Sequence, residues 1–274
     1  MKIQYIKLTI ASLLLLVAVN LTAQEETIKV PLSDPSKPGK LKLVINSGNI
    51  TVKGYSGKEV IVKATRREGR KHWRKDKGGD KKGLKRIAVN GLEFRAEEDD
   101  NYVVVDTRYY QAIDFEVQVP KNFSLKLRTV NNGNIVVENV NGAMDVSNTN
   151  GSITLTDVSG SVSADALNKD IKVTFVKVTP NAPMAFSSFN GDIDITFPKD
   201  IKAKVKVKSE RGEIYTDFDI NAKPSDSKIA VRNKSGKGKT YQVKVEKWVV
   251  GTINGGGAEI LFKNYNGDVI IRSK

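Results

Sequence analysis

The sequence predicts an all-β protein: a single-chain β-solenoid, right-handed and parallel β-helix-like. Its coils should hold about 18 residues, each made of two nine-residue strand-turn halves. Three observations carry this expectation. Turn residues return at a fixed short interval from Asn132 onward. Apolar and polar residues alternate between those turns. No helix of ordinary length is evident after the first apolar run, and Val, Ile and Leu dominate the apolar set.

The repeat is clearest in rows of nine starting at Asn132. The first slot reads Asn132, Asn141, Asn150, Ser159, Asn168, and the second Gly133, Gly142, Gly151, Gly160, Lys169. The fourth reads Ile135, Met144, Ile153, Val162, Ile171, and the sixth Val137, Val146, Leu155, Ala164, Val173. Slots four and six flank a polar slot, as in a half-buried strand. The ninth slot reads Val140, Thr149, Val158, Leu167, Val176 and breaks that parity. A corner there would let it point inward too.

Asn-Gly between strands also signals a tight antiparallel hairpin. In a two-residue hairpin, slot nine would face slot three. Val158 would then oppose Ser161, and Leu167 would oppose Asp170, which pairs apolar with polar. Stacked coils avoid that mismatch, because like slots lie over like. Ile135, Ile153 and Ile171 would then form an aliphatic ladder. The pattern recurs at Asn46–Gly57, Phe189–Phe197, Arg211–Phe218 and Tyr265–Lys274. Between Thr65 and Val130 the rhythm loosens but still alternates. Residues 221–228 and 233–240 read as loops. In all, some ten to twelve coils are expected.

The N-terminus carries Lys2 and Lys7, an apolar run from Leu8 to Val19, and Ala23 before a plausible cleavage point. This reads as a signal peptide over residues 1–23. A bilayer span needs roughly 20 apolar residues. Residues 24–274 then form one exported solenoid domain with no transmembrane segment, in the periplasm, on the outer surface or secreted. With no Cys, the domain depends on its core alone.

Charge is uneven. The chain has 45 Lys and Arg against 31 Asp and Glu. The segment at about 63–86 concentrates the excess and reads as a basic insertion. Its candidate polyanion-binding residues are Arg66, Arg67, Arg70, Lys71, Trp73, Arg74 and Lys75. The cations would meet phosphate or sulfate, and Trp73 could stack on a base or sugar. Anionic envelope polysaccharide, lipopolysaccharide or another polyanion is the expected partner. Other surface proteins are also compatible.

No catalytic, cofactor or metal site is expected. The single His, His72, lies in the basic segment, so a nucleophile has no evident base. Asp192 and Asp194 share an outward strand face, with Asp170 one coil away, and paired carboxylates can cleave glycosides. Their neighbours Ser152, Thr154, Lys172 and Thr196 make an ordinary polar sheet face. The Gly-rich stretch from Asn254 to Ile260 runs into a strand rather than a helix, so it reads as a turn.

Residues 129–155, 183–198, 208–218 and 253–274 together resemble the bacterial putative-adhesin β-strand-repeat family, which is similar to autotransporter adhesin heads. The resemblance implies an exported β-solenoid and transfers no catalytic residue. The expected function is a non-enzymatic envelope or surface scaffold with adhesion-like binding. The alternatives are a polysaccharide-active enzyme on a β-helix face and a purely structural stalk.

Overall fold

The computed structural model describes residues 25–67, 92–107, 111–220, 223–224, 228–234, 240–246 and 248–274. The expected signal peptide lies outside them. The described strands are, in chain order, β1 (Glu25–Pro31), β2 (Gly39–Val44), β3 (Ile50–Tyr55), β4 (Glu59–Arg66), β5 (Phe94–Asp99) and β6 (Tyr102–Thr107). Then come β7 (Ile113–Pro120), β8 (Phe123–Thr129), β9 (Ile135–Glu138), β10 (Asn141–Asn148), β11 (Ile153–Ala166), β12 (Ile171–Val178), β13 (Met184–Asn190) and β14 (Ile193–Phe197). The last are β15 (Ala203–Ser209), β16 (Ile214–Thr216), β17 (Lys223–Pro224), β18 (Lys228–Lys234), β19 (Thr240–Glu246), β20 (Val249–Ile253), β21 (Ala258–Asn266) and β22 (Val269–Ser273).

These strands build two faces. Along face one, parallel strands stack in the order β7, β3, β9, the start of β11, β12, β14, β22, β16. Along face two the parallel order is β6, β2, β8, β10, the end of β11, β13, β21, β15. Antiparallel strands close the stack ends: β4 and β1 beyond β7, β5 beyond β6, and β20 with β17 beyond β15. They occupy edges that would otherwise offer unpaired N–H and C=O groups. The bent strand β11 joins the faces, so 20 strands form one continuous sheet. β18 and β19 form a separate hairpin, so parts of the expected loops at 221–228 and 233–240 are strand.

The stack holds fewer layers than the ten to twelve expected, because residues 25–31, 59–66 and 94–99 pair antiparallel instead of coiling. Nor do the layers follow sequence order. The first coil, β2–β3, lies between β6–β7 and β8–β9. The last, β21–β22, lies between β13–β14 and β15–β16. The first and last coils thus each have a neighbour on both sides.

The aliphatic ladder runs through face one. Ile50 pairs with Ile135, Ile135 with Ile153, Ile153 with Ile171, and Ile171 with Ile193. All five are 0% exposed. Removing such a side chain from water contributes about 1.5–3 kcal/mol. On face two, Leu43, Leu127, Val146, Ala164, Phe186 and Phe262 make the matching row. Phe186 stacks on Phe262, and Phe175 on Phe197, with centroids 5.3 and 5.1 Å apart. Coil size varies. Stacked residues are 18 apart at Asn134 and Ser152, 19 apart at Asn122 and Asn141, and 22 apart at Asp170 and Asp192.

Candidate binding face

Every coil turns twice, and the two turns differ. Where face one leads to face two, Asn139 and Asp157 adopt φ of 58° and 51°, a region that Asn and Asp tolerate best among residues with a Cβ. The chain then drops Val140 and Val158 into the core. Slot nine points inward there, as expected. One coil further, a bulge sets Phe175 beside Val158 and leaves Val176 outside, 54% exposed.

Where face two leads back to face one, the expectation for slot nine is wrong. Leu167 is 44% exposed, and Thr149 is half-buried. The inward position is slot eight, which holds Ala166 in one coil and a polar side chain in several others. Thr129 Oγ1 donates to the Gly48 carbonyl at 2.9 Å, and Asn148 Nδ2 to the Gly133 carbonyl at 3.0 Å. Ser188 Oγ donates to Lys169 O, Asn264 Nδ2 to Gly191 O, and Ser209 Oγ to Gly267 O. Each side chain caps a carbonyl that the turn pulls out of the strand ladder. Among the described residues, no buried side-chain polar atom is without a partner.

The second slot explains itself here. A Cβ on Gly151 would sit 1.8 Å from the Gly133 carbonyl oxygen, and one on Gly133 would sit 1.7 Å from that of Gly48. Coil-to-coil contact, more than positive φ, requires glycine. Lys169 is the exception in this slot; its coil lies 18 residues from one neighbour and 22 from the other.

Two further ladders run outside the turn. Asn168 Nδ2 donates to Asn150 Oδ1, Asn190 Nδ2 to Asn168 Oδ1, and Asn266 Nδ2 to Asn190 Oδ1, at 2.8, 3.1 and 2.8 Å. Backbone N–H groups of Asp192, Asp268 and Glu213 donate to the carboxylates of Asp170, Asp192 and Asp268 in turn. Asp170 and Asp192 therefore cap backbone groups. Asp194 instead pairs with Arg272 at 2.8 Å, and its hydrogen bond holds that guanidinium above its ordinary pKa. Asp192 and Asp194 thus sit in different hydrogen-bond sets.

The outward side of this turn carries two parallel rows. Asp165, Ser187, Lys263 and Lys208 lie in register across β11, β13, β21 and β15. Two positions on, Leu167, Phe189 and Tyr265 form an apolar row. Phe189 and Tyr265 stack at 4.7 Å with rings 2° from parallel, and Phe189 is 45% exposed. Arg211 lies 5.3 Å from the Tyr265 ring centre. These rows border a cavity of about 560 Å³. A second cavity, about 710 Å³, opens at the other turn near Val176, Met184 and Ile201. Sequence reading missed the first because Leu167 was assigned inward. The signal was present: Asn139 and Asp157 precede buried valines, whereas Asn148 and Ala166 precede Thr149 and Leu167.

The basic segment begins inside a strand, since Lys63 to Arg66 belong to β4 and Ala64 is buried. Arg67 Nε meets the Asp114 carboxylate at 2.7 Å, and its Nη1 donates to the Asn132 carbonyl. Arg67 is therefore engaged within the fold. Arg70, Lys71, Trp73, Arg74 and Lys75 lie outside the described residues. Among the described residues, no group of three or more His, Cys, Asp or Glu is placed to hold a metal ion.

Two-stranded parallel coils stacked over an aliphatic ladder, with capped carbonyls at one turn, define a β-helix-like domain. The chain belongs to the Toastrack DUF4097 family, whose model matches residues 5–254. β21 and β22 follow the matched segment in sequence yet lie inside the stack. A solved structure described as "a putative cell adhesion protein", from Clostridium sporogenes, is similar to this chain at 13% identity. The similarity covers 92% of this chain and 99% of that one, with a TM-score of 0.50, and shows a shared fold. Another, "a putative adhesin" from Bacteroides fragilis, is 10% identical over 92% of this chain and 97% of that one, with a TM-score of 0.39. A comparison with curated proteins found no match.

Proposed function

We propose that the protein is an exported, non-enzymatic β-solenoid of the cell envelope or surface, right-handed with coils of about 18 residues at its centre. It acts as a scaffold for adhesion-like binding. The observation that carries this reading is the outward row Leu167, Phe189 and Tyr265, the first two exposed and Tyr265 half-buried, held at strand spacing on one turn of the stack. Exposed apolar side chains grouped on a fixed frame mark interaction surfaces. The descriptions of the two similar structures agree with it. The basic segment adds a second contact, with anionic polysaccharide or lipopolysaccharide, through Arg66, Arg70, Lys71, Trp73, Arg74 and Lys75.

The test is a screen of the mature protein against glycans and polyanions, with turnover followed in the same wells. Binding without release of sugar ends is expected. Release of reducing or unsaturated ends, lost on Asp192→Asn with Asp194→Asn, would establish the enzyme alternative. Retention on heparin should fall steeply with salt, since counterion release drives such contacts. Replacing Arg66, Arg70, Lys71, Arg74 and Lys75 with Ser should weaken retention, while Arg67 stays to hold Asp114. N-terminal sequencing of the exported protein should begin at Gln24.

A further inference from the structure

We propose that the cavity beside Phe189 is a subsite for one uncharged sugar residue of a glycan. The inference rests on the adhesion-like reading but not on the basic segment. Its first support is size, since about 560 Å³ falls within the range of small-ligand sites.

Its second support is the balance of donors and acceptors. The Lys208 side chain is only 6% exposed, and it closes on Glu210 at 2.7 Å. That pair fills one end of the cavity with no net charge. The side chains of Asp165, Ser187 and Lys263 have no hydrogen bond or ion pair to another residue among the described ones. Along that row Asp165 can only accept, Lys263 can only donate, and Ser187 can do both. Adjacent strands place these groups about 4.8 Å apart. A sugar ring presents hydroxyls that donate and accept at neighbouring positions, so it can satisfy all three. An anion would gain from Lys263 but would meet Asp165 and Glu210.

The third support is the apolar wall. Leu167 and Phe189 are 44% and 45% exposed and face the polar row across one inward residue. Two residues of strand set the rows about 6.6 Å apart. The C–H side of a sugar packs against such a wall while its hydroxyls reach the polar row. Aromatic anchors of this kind dominate binding energy at contact sites.

The experiment titrates the mature chain with a panel of neutral oligosaccharides at low and high salt. At least one should bind with affinity that salt leaves unchanged. Phe189→Ser and Lys263→Met should each weaken it about tenfold or more, a loss of roughly 1.4 kcal/mol. Lys263 is exposed, so its variant should keep the wild-type melting temperature, while Phe189→Ser should lose only the stability of its stack on Tyr265 and stay folded. The basic-segment variant should bind the neutral sugar like wild type. Failure of every neutral oligosaccharide, or binding unchanged in both variants, would overturn the subsite. If polyanions still bind in that case, the adhesion-like reading survives. If they also fail, it falls with the subsite.

Discussion

The two turns of each coil share a nine-residue pattern but solve different problems. At the turn into face two, Asn139 and Asp157 take the left-handed bend, and Val140 and Val158 seal the core. At the turn into face one, the backbones of successive coils touch, glycine fills the contact, and polar side chains cap the carbonyls. One corner is held by apolar burial and the other by hydrogen bonds. The second leaves its next residue facing outward, which is why the outward row Leu167, Phe189 and Tyr265 arises there. A repeat that looks nine residues long is therefore eighteen long in its physics.

The largest effect should come from placing a charge at the apolar corner. Val158→Asp buries an unpaired carboxylate at a 0% exposed site and should cost several kcal/mol or abolish folding. Leu167→Asp, the same slot at the other corner, should change thermal stability little. If both melt alike, the two corners are not distinct.

Next in size is Gly151→Val. Its Cβ would meet the Gly133 oxygen, and because that neighbour is backbone the coils must separate. Overpacking typically costs about 1–3 kcal/mol, and a backbone clash should reach or exceed the upper end. A melting temperature equal to wild type would remove the close-contact account of this slot.

Asn148→Ala is a smaller test of the polar corner. It strips partners from the Gly133 and Ser152 carbonyls and from the Gly151 N–H. Each group left unsatisfied and buried costs about 1–3 kcal/mol, less where water can enter. The introduced alanine itself is tolerated, since Ala166 occupies the equivalent position one coil on. Denaturant unfolding of the variant reads the loss, and none would show that water already serves those groups.

Asn168→Ala should have the least effect. It breaks two links in the asparagine ladder, but this ladder lies outside the turn. A loss of about 1 kcal/mol or less is expected. A larger loss would mean that the outer ladder, not the buried row, holds the corner.

Much of the face structure was legible because strand alternation is a local pattern. The pairs Ile135–Ile153–Ile171 follow from counting. Slot eight was not legible, because Thr129, Asn148 and Ser188 are polar: strand parity with Leu127, Val146 and Phe186 points them inward, but their residue type argues for solvent. Only their carbonyl partners in the neighbouring coil satisfy them there, and those partners are set by stacking. The placement of β2–β3 and β21–β22 was hidden for a related reason. Ile50 pairs with Phe115 and Ile135, and Ile193 with Val269, so no local pattern records the layer order. The binding face suffered from both, since Phe189 and Tyr265 are distant in sequence and meet only because the last coil enters the stack beside β13.

That entry has a mechanical consequence. In a simple coil stack the outermost turn holds on one side only, so tension on either end peels it away and then the next. Here a pull on the segment after β20 acts on a layer gripped by β13–β14 below and β15–β16 above. Extracting it means shearing two sets of parallel hydrogen bonds at once. The layer bearing β2–β3 is gripped in the same way by β6–β7 and β8–β9. Under load from that segment the layer should resist fraying and yield as a unit, as a clasp does and a zipper does not.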